Sequence, residues 1–289
     1  KMKSVSAAGD KMVGIGTKFA AAGAAMGAMA MFPVKEAASF ERQMSRVLAV
    51  TGGAEESFVD LNESAKELGR TTQFSAVQAG EGMRFLGMAG LNAKEVLSAI
   101  QPALSLAAAG ELEVGEAADY ATNIMSTMGL QVEDLTHIMD VMAYTAANSN
   151  TDVRQLAEAM TYVALDARSA KIPLEQVSAY LGVMAKNGIQ ASRAGTSLRA
   201  VIASLIRPLP KAQKELEKLG VEISKTSDGG LDLAKTLDDL GKAGMTTSQS
   251  YTIFKRVAGG VGTALARSTK EIGAFSDALF GPEAQGAAL

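Results

Sequence analysis

The chain has 289 residues, 47% of them hydrophobic and 20% charged, with a formal net charge of −3. This is a globular composition, long enough for one large domain or two smaller ones, and it carries no basic footprint for generic or sequence-specific nucleic-acid binding. The chain has no cysteine, which removes disulfides, zinc–thiolate sites and thiol nucleophiles, while 5% aromatics without Trp fit a base-stacking platform poorly.

Residues 1–38 form a first unit rich in Gly and Ala. Phe19 to Val34 is uncharged and lies between Lys18 and Lys35. Gly23 and Gly27, four apart, share one helix face where backbones can approach closely, as in membrane helix pairs. The uncharged run is shorter than the ~20 residues a spanning helix needs. Ala28-Met-Ala30 after a Lys-bearing start could also mimic a signal-peptide cleavage site. The Ala/Gly content favours a helix that packs tightly on other helices. Membrane contact through residues 12–34 stands as the alternative.

Residues 39–207 read as helix almost throughout, with Gly and Pro at the joints and apolar residues at three- and four-residue spacing. Ser75-Ala-Val-Gln78 and Asn92-Ala-Lys-Glu95 have capping-box spacing. Asn148-Ser-Asn150-Thr-Asp152 is a capping cluster, and Pro173 suits the first turn of a helix. A weak repeat begins at Gly90-Leu91, Gly129-Leu130 and Lys171-Ile172, each apolar residue being followed by an acidic helix start. Such spacing suits two antiparallel helices with short turns, so the segment is expected to be a stack of helical hairpins. Between the last two of these helices runs Met184-Ala-Lys-Asn-Gly188-Ile-Gln-Ala-Ser192-Arg-Ala-Gly195-Thr196-Ser-Leu198-Arg199. It reads as a helix-ending Asn-Gly, a small-residue turn and a helix opening near Gly195.

Residues 208–289 form a third unit. Arg207-Pro208-Leu-Pro210 stops the helical pattern because proline lacks the amide and restricts its predecessor. A helix from Lys211 to Leu219 ends at Gly220, a good left-handed cap. Val221-Glu-Ile-Ser224 then alternates, Asp228-Gly229-Gly230 supplies a turn and Leu231-Asp-Leu233 returns, which predicts a short β-hairpin over 221–233. The expected fold class is mainly α. The chain breaks off after the soft Gly281-Pro-Glu-Ala-Gln-Gly286 stretch and reads as a piece of a longer polypeptide.

Catalytic constellations are hard to assemble from these residues. His137 is the single histidine, so neither a Ser–His–Asp relay nor a multi-histidine metal site can be built with a second one. Gly14-Ile-Gly16-Thr-Lys18 and Gly259-Gly-Val-Gly262-Thr263 match neither a P-loop nor a dinucleotide fingerprint, and they read as helix-approach glycines. Carboxylate pairs such as Glu55-Glu56, Asp134 with Asp140, and Asp238-Asp239 fall on polar helix faces. Met83, Met88, Met125, Met128, Met139, Met142 and Met160 lie at helical spacing and read as core filling, with an adaptable binding surface as the sharper option. No enzyme, cofactor or metal is expected.

The block Met184 to Arg199 gains weight from Phe40-Glu-Arg-Gln-Met44-Ser and Leu68-Gly-Arg-Thr-Thr-Gln-Phe74-Ser-Ala upstream. In order and spacing, Phe40 to Phe280 resembles the core region of tail tape measure proteins from long-tailed bacteriophages and prophages. Arg256-Val-Ala-Gly-Gly260 departs from the Phe-Gly-acidic pattern more usual in that family. The resemblance implies a virion structural protein that occupies the tail lumen, made in the host cytoplasm, that scaffolds the tube and sets its length. It further implies release ahead of the DNA to assist ejection through the host envelope. Implied partners are further copies of the chain, tail tube protein, baseplate hub and distal tail proteins, and tail assembly chaperones. The glycine and proline joints make this segment a docking or oligomerising module. Its candidate contacts are Gly23, Gly27, Gly188, Ser192, Gly195, Thr196, Leu198 and Arg199. A membrane-active helical protein and a helical-repeat adaptor without a tail role are the alternatives.

Overall fold

The computed structural model describes residues 37–52 and 55–287, so Gly23, Gly27 and the candidate membrane segment 12–34 lie outside the described residues, as do the side chains of Glu55 and Glu56. The elements are α1 (37–51), α2 (Glu55–Thr71), α3 (Ala76–Met88), α4 (Ala93–Ala109), α5 (Val114–Met128) and, after a 3-10 turn at Val132–Asp134, α6 (Leu135–Ala147). They continue with α7 (Val153–Ser169), α8 (Leu174–Lys186), α9 (Ala191–Ile206), α10 (Pro210–Leu219), α11 (Leu233–Lys242), α12 (Thr247–Arg267) and α13 (Thr269–Phe280).

The helices stack as two layers. Helices of the central run pack on the one two positions along: α3 on α5, α5 on α7 and α7 on α9 in one layer, α2 on α4, α4 on α6 and α6 on α8 in the other. At one end α1 joins the first layer by lying on the glycine face of α3, where the buried Gln43 amide donates to the Gly80 carbonyl at 3.1 Å. At the other end α12 packs on α9 and α13 on α8, continuing both layers past the Pro208–Pro210 break. A single buried apolar cluster runs from Met44 in α1 to Leu279 in α13. The second layer is what the sequence repeat marks: Leu91, Leu130 and Ile172 each precede one of its helices.

The joints explain the repeat. The N–H groups of Leu91, Leu130 and Ile172 donate to the carbonyls of Leu86, Met125 and Ala167, five residues back, at 3.3, 2.9 and 2.9 Å. This is a helix-closing motif that satisfies an otherwise free carbonyl while tucking an apolar residue inward. Leu91 and Ile172 are 2% exposed. The residue before each apolar one turns left-handed, and at the third joint that residue is Lys171 with φ 57°. Glycine is therefore preferred at these joints and not required. The capping boxes at Ser75 and Asn92 form, and the Asp152 carboxylate accepts from the Gln155 N–H.

The expected β-hairpin over 221–233 is not there. Among the described residues the segment holds one isolated antiparallel bridge, Lys225 with Leu231, and no strand. Two cross-segment bonds flank that bridge, from the Asp232 N–H to the Ser224 carbonyl and from the Thr226 N–H to the Gly230 carbonyl, both at 3.0 Å, and the pairing goes no further. The Leu231 N–H donates to the Ala170 carbonyl at 2.8 Å and the Ser224 N–H to the Thr236 hydroxyl at 3.1 Å. Asp232 then caps α11 by accepting from the Lys235 N–H, so the returning arm becomes helix after two residues. Leu231 and Leu233 are buried against the stack, and that burial sets the path of the loop.

Candidate docking surface

The Gly188–Arg199 block splits into three environments. Gly188 closes α8 with φ 76° and projects toward open space. The next helix opens at Ala191, one turn before the Gly-Thr-Ser-Leu-Arg string, with Gln190 as its N-cap. Gly195 therefore lies inside α9, on the side facing α7, where a Cβ would overlap the Ala159 carbonyl. Leu198 is fully buried on the same side. Ser192 is half-buried, and Thr196 and Arg199 are exposed. Arg199 Nε lies 3.0 Å from Asp166 of α7, an ion pair laid across the outside of the same helix crossing.

Thr196 and Arg199 open onto a groove between α9 and α12, together with Ala200, Ala203, Phe254 and Val257. Its far wall is a break in α12: Lys255 takes φ 63° and ψ −176°, a region that residues other than glycine rarely occupy. The break lets the two halves of α12 fold against each other. The buried Ser250 hydroxyl donates to the Gly259 carbonyl at 2.6 Å, a contact that nine residues of straight helix could not make. Gly259 and Gly262 face Tyr251 and Phe254, where a Cβ would overlap the rings. The Gly259–Gly262 cluster is thus a helix-approach device, as its sequence context suggested.

Electrostatics on the surface are paired and local. Arg154 holds Glu116 at 2.8 Å, bridging α5 and α7, and keeps that carboxyl below the usual range. Lys242, paired with Asp238, does the same there, helped by the Thr269 hydroxyl. His137 Nε2 lies 2.7 Å from Glu175 Oε1 and ties α6 to α8. The Asp140 carboxylate, 6% exposed, accepts from the Gly286 N–H at 2.9 Å, and Glu283 accepts from the Tyr144 hydroxyl at 3.3 Å. These two contacts fasten the Gly281–Gly286 stretch onto α6, and Ala284 beside them is buried. Desolvation pushes the buried Tyr180 phenol well above its usual range. No group of His, Asp and Glu among the described residues is arranged to hold a metal ion. Six of the seven methionines noted above are buried, and Met88 is 59% exposed. They fill the core.

A family model described as phage-related minor tail protein matches residues 62–259, which takes in α3 to α11 entirely and reaches past the break in α12. The chain belongs to that family. Among curated proteins of this kind, the tape measure protein of Pneumococcus phage Dp-1 is 33% identical over 218 residues, covering 75% of the chain and 19% of that protein. The probable tape measure protein of Escherichia phage P2 is 33% identical over 229 residues, covering 78% of the chain and 26% of the relative. The chain thus spans about a fifth to a quarter of the length of these relatives. No solved structure matches it. Within the minor tail protein family, the sequence resemblance and the comparisons agree over the same core. The groove beside α9, by contrast, was not legible in the sequence, because its α12 wall depends on a backbone break at Lys255.

Proposed function

We propose that this chain is the compact core module of a tail tape measure protein, a virion structural protein carried in the lumen of a phage tail. In this reading tube protein polymerises around the full polypeptide until its extent is reached. The protein later leaves ahead of the DNA to assist passage through the host envelope. The module serves docking and oligomerisation and contributes little to measured length. Its partners are further copies of the chain, tube protein, baseplate hub proteins and assembly chaperones, with Gly23 and Gly27 offered as a helix contact and residues 12–34 as the segment that meets the host membrane. The observation that carries the reading is the family match over residues 62–259, joined to tape measure relatives from two phages. What supports compactness is a single buried core in which non-consecutive helices pack layer on layer.

The test is tail length by electron microscopy after duplicating Asn92 to Leu130 in the full-length gene. A compact module leaves tails at unchanged length. A ruler segment would lengthen them by roughly 58 Å, at 1.5 Å for each of the 39 added residues. Normal infectious tails in a strain lacking the gene would sink the tape measure reading altogether. Among the described residues no helix is long and apolar enough to cross a membrane. Membrane contact through residues 12–34 therefore has its own test: dye release from anionic liposomes that is lost in Gly23→Leu.

A further inference from the structure

Neither α9, with 16 residues, nor α12, with 21, contains a carboxylate. The two helices pack side by side and carry Arg193, Arg199, Lys255, Arg256 and Arg267, with Arg207 at the end of α9. Of these, Arg199 alone is ion-paired among the described residues, to Asp166 of α7. Arg193, Arg207, Lys255 and Arg256 are exposed and make no ion pair among the described residues. Acidic residues outnumber Lys and Arg in the chain, 31 to 28, so cations left unmatched on two adjacent helices are a local departure from its balance.

These cations frame the groove between α9 and α12. Its floor on α9 is made of the small residues Thr196, Ala200 and Ala203, and the α12 wall presents Val257, 61% exposed, beside Lys255. Arg193, Ala200 and Arg207 are seven residues apart, about two helical turns, so the two arginines stand at the ends of the stripe that opens on the groove. Ile206, 51% exposed, adds apolar surface at the same end as Arg207. Single exposed apolar residues need no explanation, but an apolar trough rimmed by unpaired charge of one sign marks a contact surface.

We infer that this groove docks an acidic amphipathic helix supplied by another protein. The helix lays its apolar stripe over Ala200 and Ala203, against Val257, and turns its carboxylates toward Lys255, Arg193 and Arg207. The form of the occupant follows from the walls. Both are helices whose backbone groups are already paired, so an incoming segment finds no sheet edge and has to satisfy its own backbone, as a helix does. The small residues of the floor let a helix come close, as α7 does on the opposite flank of α9. The sign of its charge follows from complementarity with the unpaired cations. A flat bilayer cannot reach the floor of a groove, and a phosphate backbone would leave that apolar floor uncovered. The place of this contact in a tail rests on the docking-module reading; its test does not.

That test is fluorescence anisotropy, with the 289-residue chain titrated into a labelled 16-residue peptide, the length of α9. The peptide is built of Leu, Ala and Glu, with its leucines on one helical face. Saturable binding in the micromolar range is expected, weakening as salt rises because surface charges carry part of the attraction. The same peptide with Lys at every Glu position is expected not to bind. Lys255→Glu reverses the charge on the groove wall, and Ala203→Glu places a carboxylate on its floor. Each should weaken the acidic peptide at least tenfold while leaving helix content unchanged, since both positions are exposed. No binding of the acidic peptide, equal binding of the Lys peptide, or indifference to both variants would overturn the inference. So would a dimer in sedimentation velocity that Ala203→Glu dissolves, because a second copy would then occupy the groove. None of these outcomes bears on the tail-length experiment, so the failure of either reading can be told from the failure of the other.

Discussion

The two flanks of α9 are built from similar small residues and behave oppositely. Toward α7 the helix presents Gly195, Ala194 and Leu198, all buried, and the backbones meet so closely that a methyl group has no room. Toward α12 it presents Thr196, Ala200 and Ala203 across an open groove whose opposite wall is a broken helix. Small side chains permit close approach, but whether the approach happens depends on what the facing element can bring. α7 brings a straight apolar face. α12 brings a strained turn at Lys255, and the gap stays open.

The comparison can be broken most severely at Gly195. Gly195→Ala is expected to cost about 3 kcal/mol or more, because the added methyl meets a backbone carbonyl that cannot move without separating α7 from α9. Urea unfolding would show it, and a cost below about 1 kcal/mol would mean that the crossing is looser than described. Gly188→Ala, in the same block, should cost only about 1 kcal/mol, since the site is open and the penalty is that of a left-handed backbone. Leu198→Ala, which empties a fully buried site on the tight flank, falls between the two Gly195 and Gly188 effects or near the first, at about 3 kcal/mol.

On the open flank the signs change. Lys255→Gly is expected to stabilise the fold by about 1 kcal/mol, because glycine adopts φ 63° and ψ −176° without the penalty that Lys255 carries. A melting temperature that falls instead would show that the Lys255 side chain makes a contact worth more than the strain. Ala203→Glu should change stability by less than about 0.5 kcal/mol, since the residue faces the groove and solvent.

The smallest effect concerns pH. The Glu116 carboxyl is held low by Arg154, so its folded pKa lies below its unfolded one. Its contribution is therefore present above the ordinary carboxylate range and is lost as pH falls through the folded value. The melting-temperature gap between the unaltered chain and Glu116→Gln should shrink between about pH 7 and about pH 3. A gap that widens over that interval would contradict the assigned direction.

Much of the fold could be read from the chain because its signals are local. Capping boxes at Ser75 and Asn92 need only residues three apart. The repeat at Leu91, Leu130 and Ile172 records a turn in which one apolar side chain and one backbone bond are set within six residues. The family block was equally visible, since Gly188, Gly195 and Arg199 stand in one short string. What the string could not reveal was the division of labour within it: Gly188 ends a helix in open space, Gly195 is pressed against Ala159 and Arg199 reaches across to Asp166.

The sequence by itself determined the helical class, most helix boundaries, the lack of cysteine chemistry and the kinship with phage tail proteins, because composition, caps and motif order are properties of neighbouring residues. Only the tertiary structure decided that alternate helices form two layers, that residues 221–233 turn into a loop and a cap, and that α12 breaks at Lys255. Each of those outcomes depends on a partner distant in the chain. The Thr236 hydroxyl takes the Ser224 N–H that a hairpin would have used, Ala170 holds the Leu231 N–H, the Gly259 carbonyl takes the Ser250 hydroxyl, and the burial of Leu231 and Leu233 outweighs the local preference for alternation.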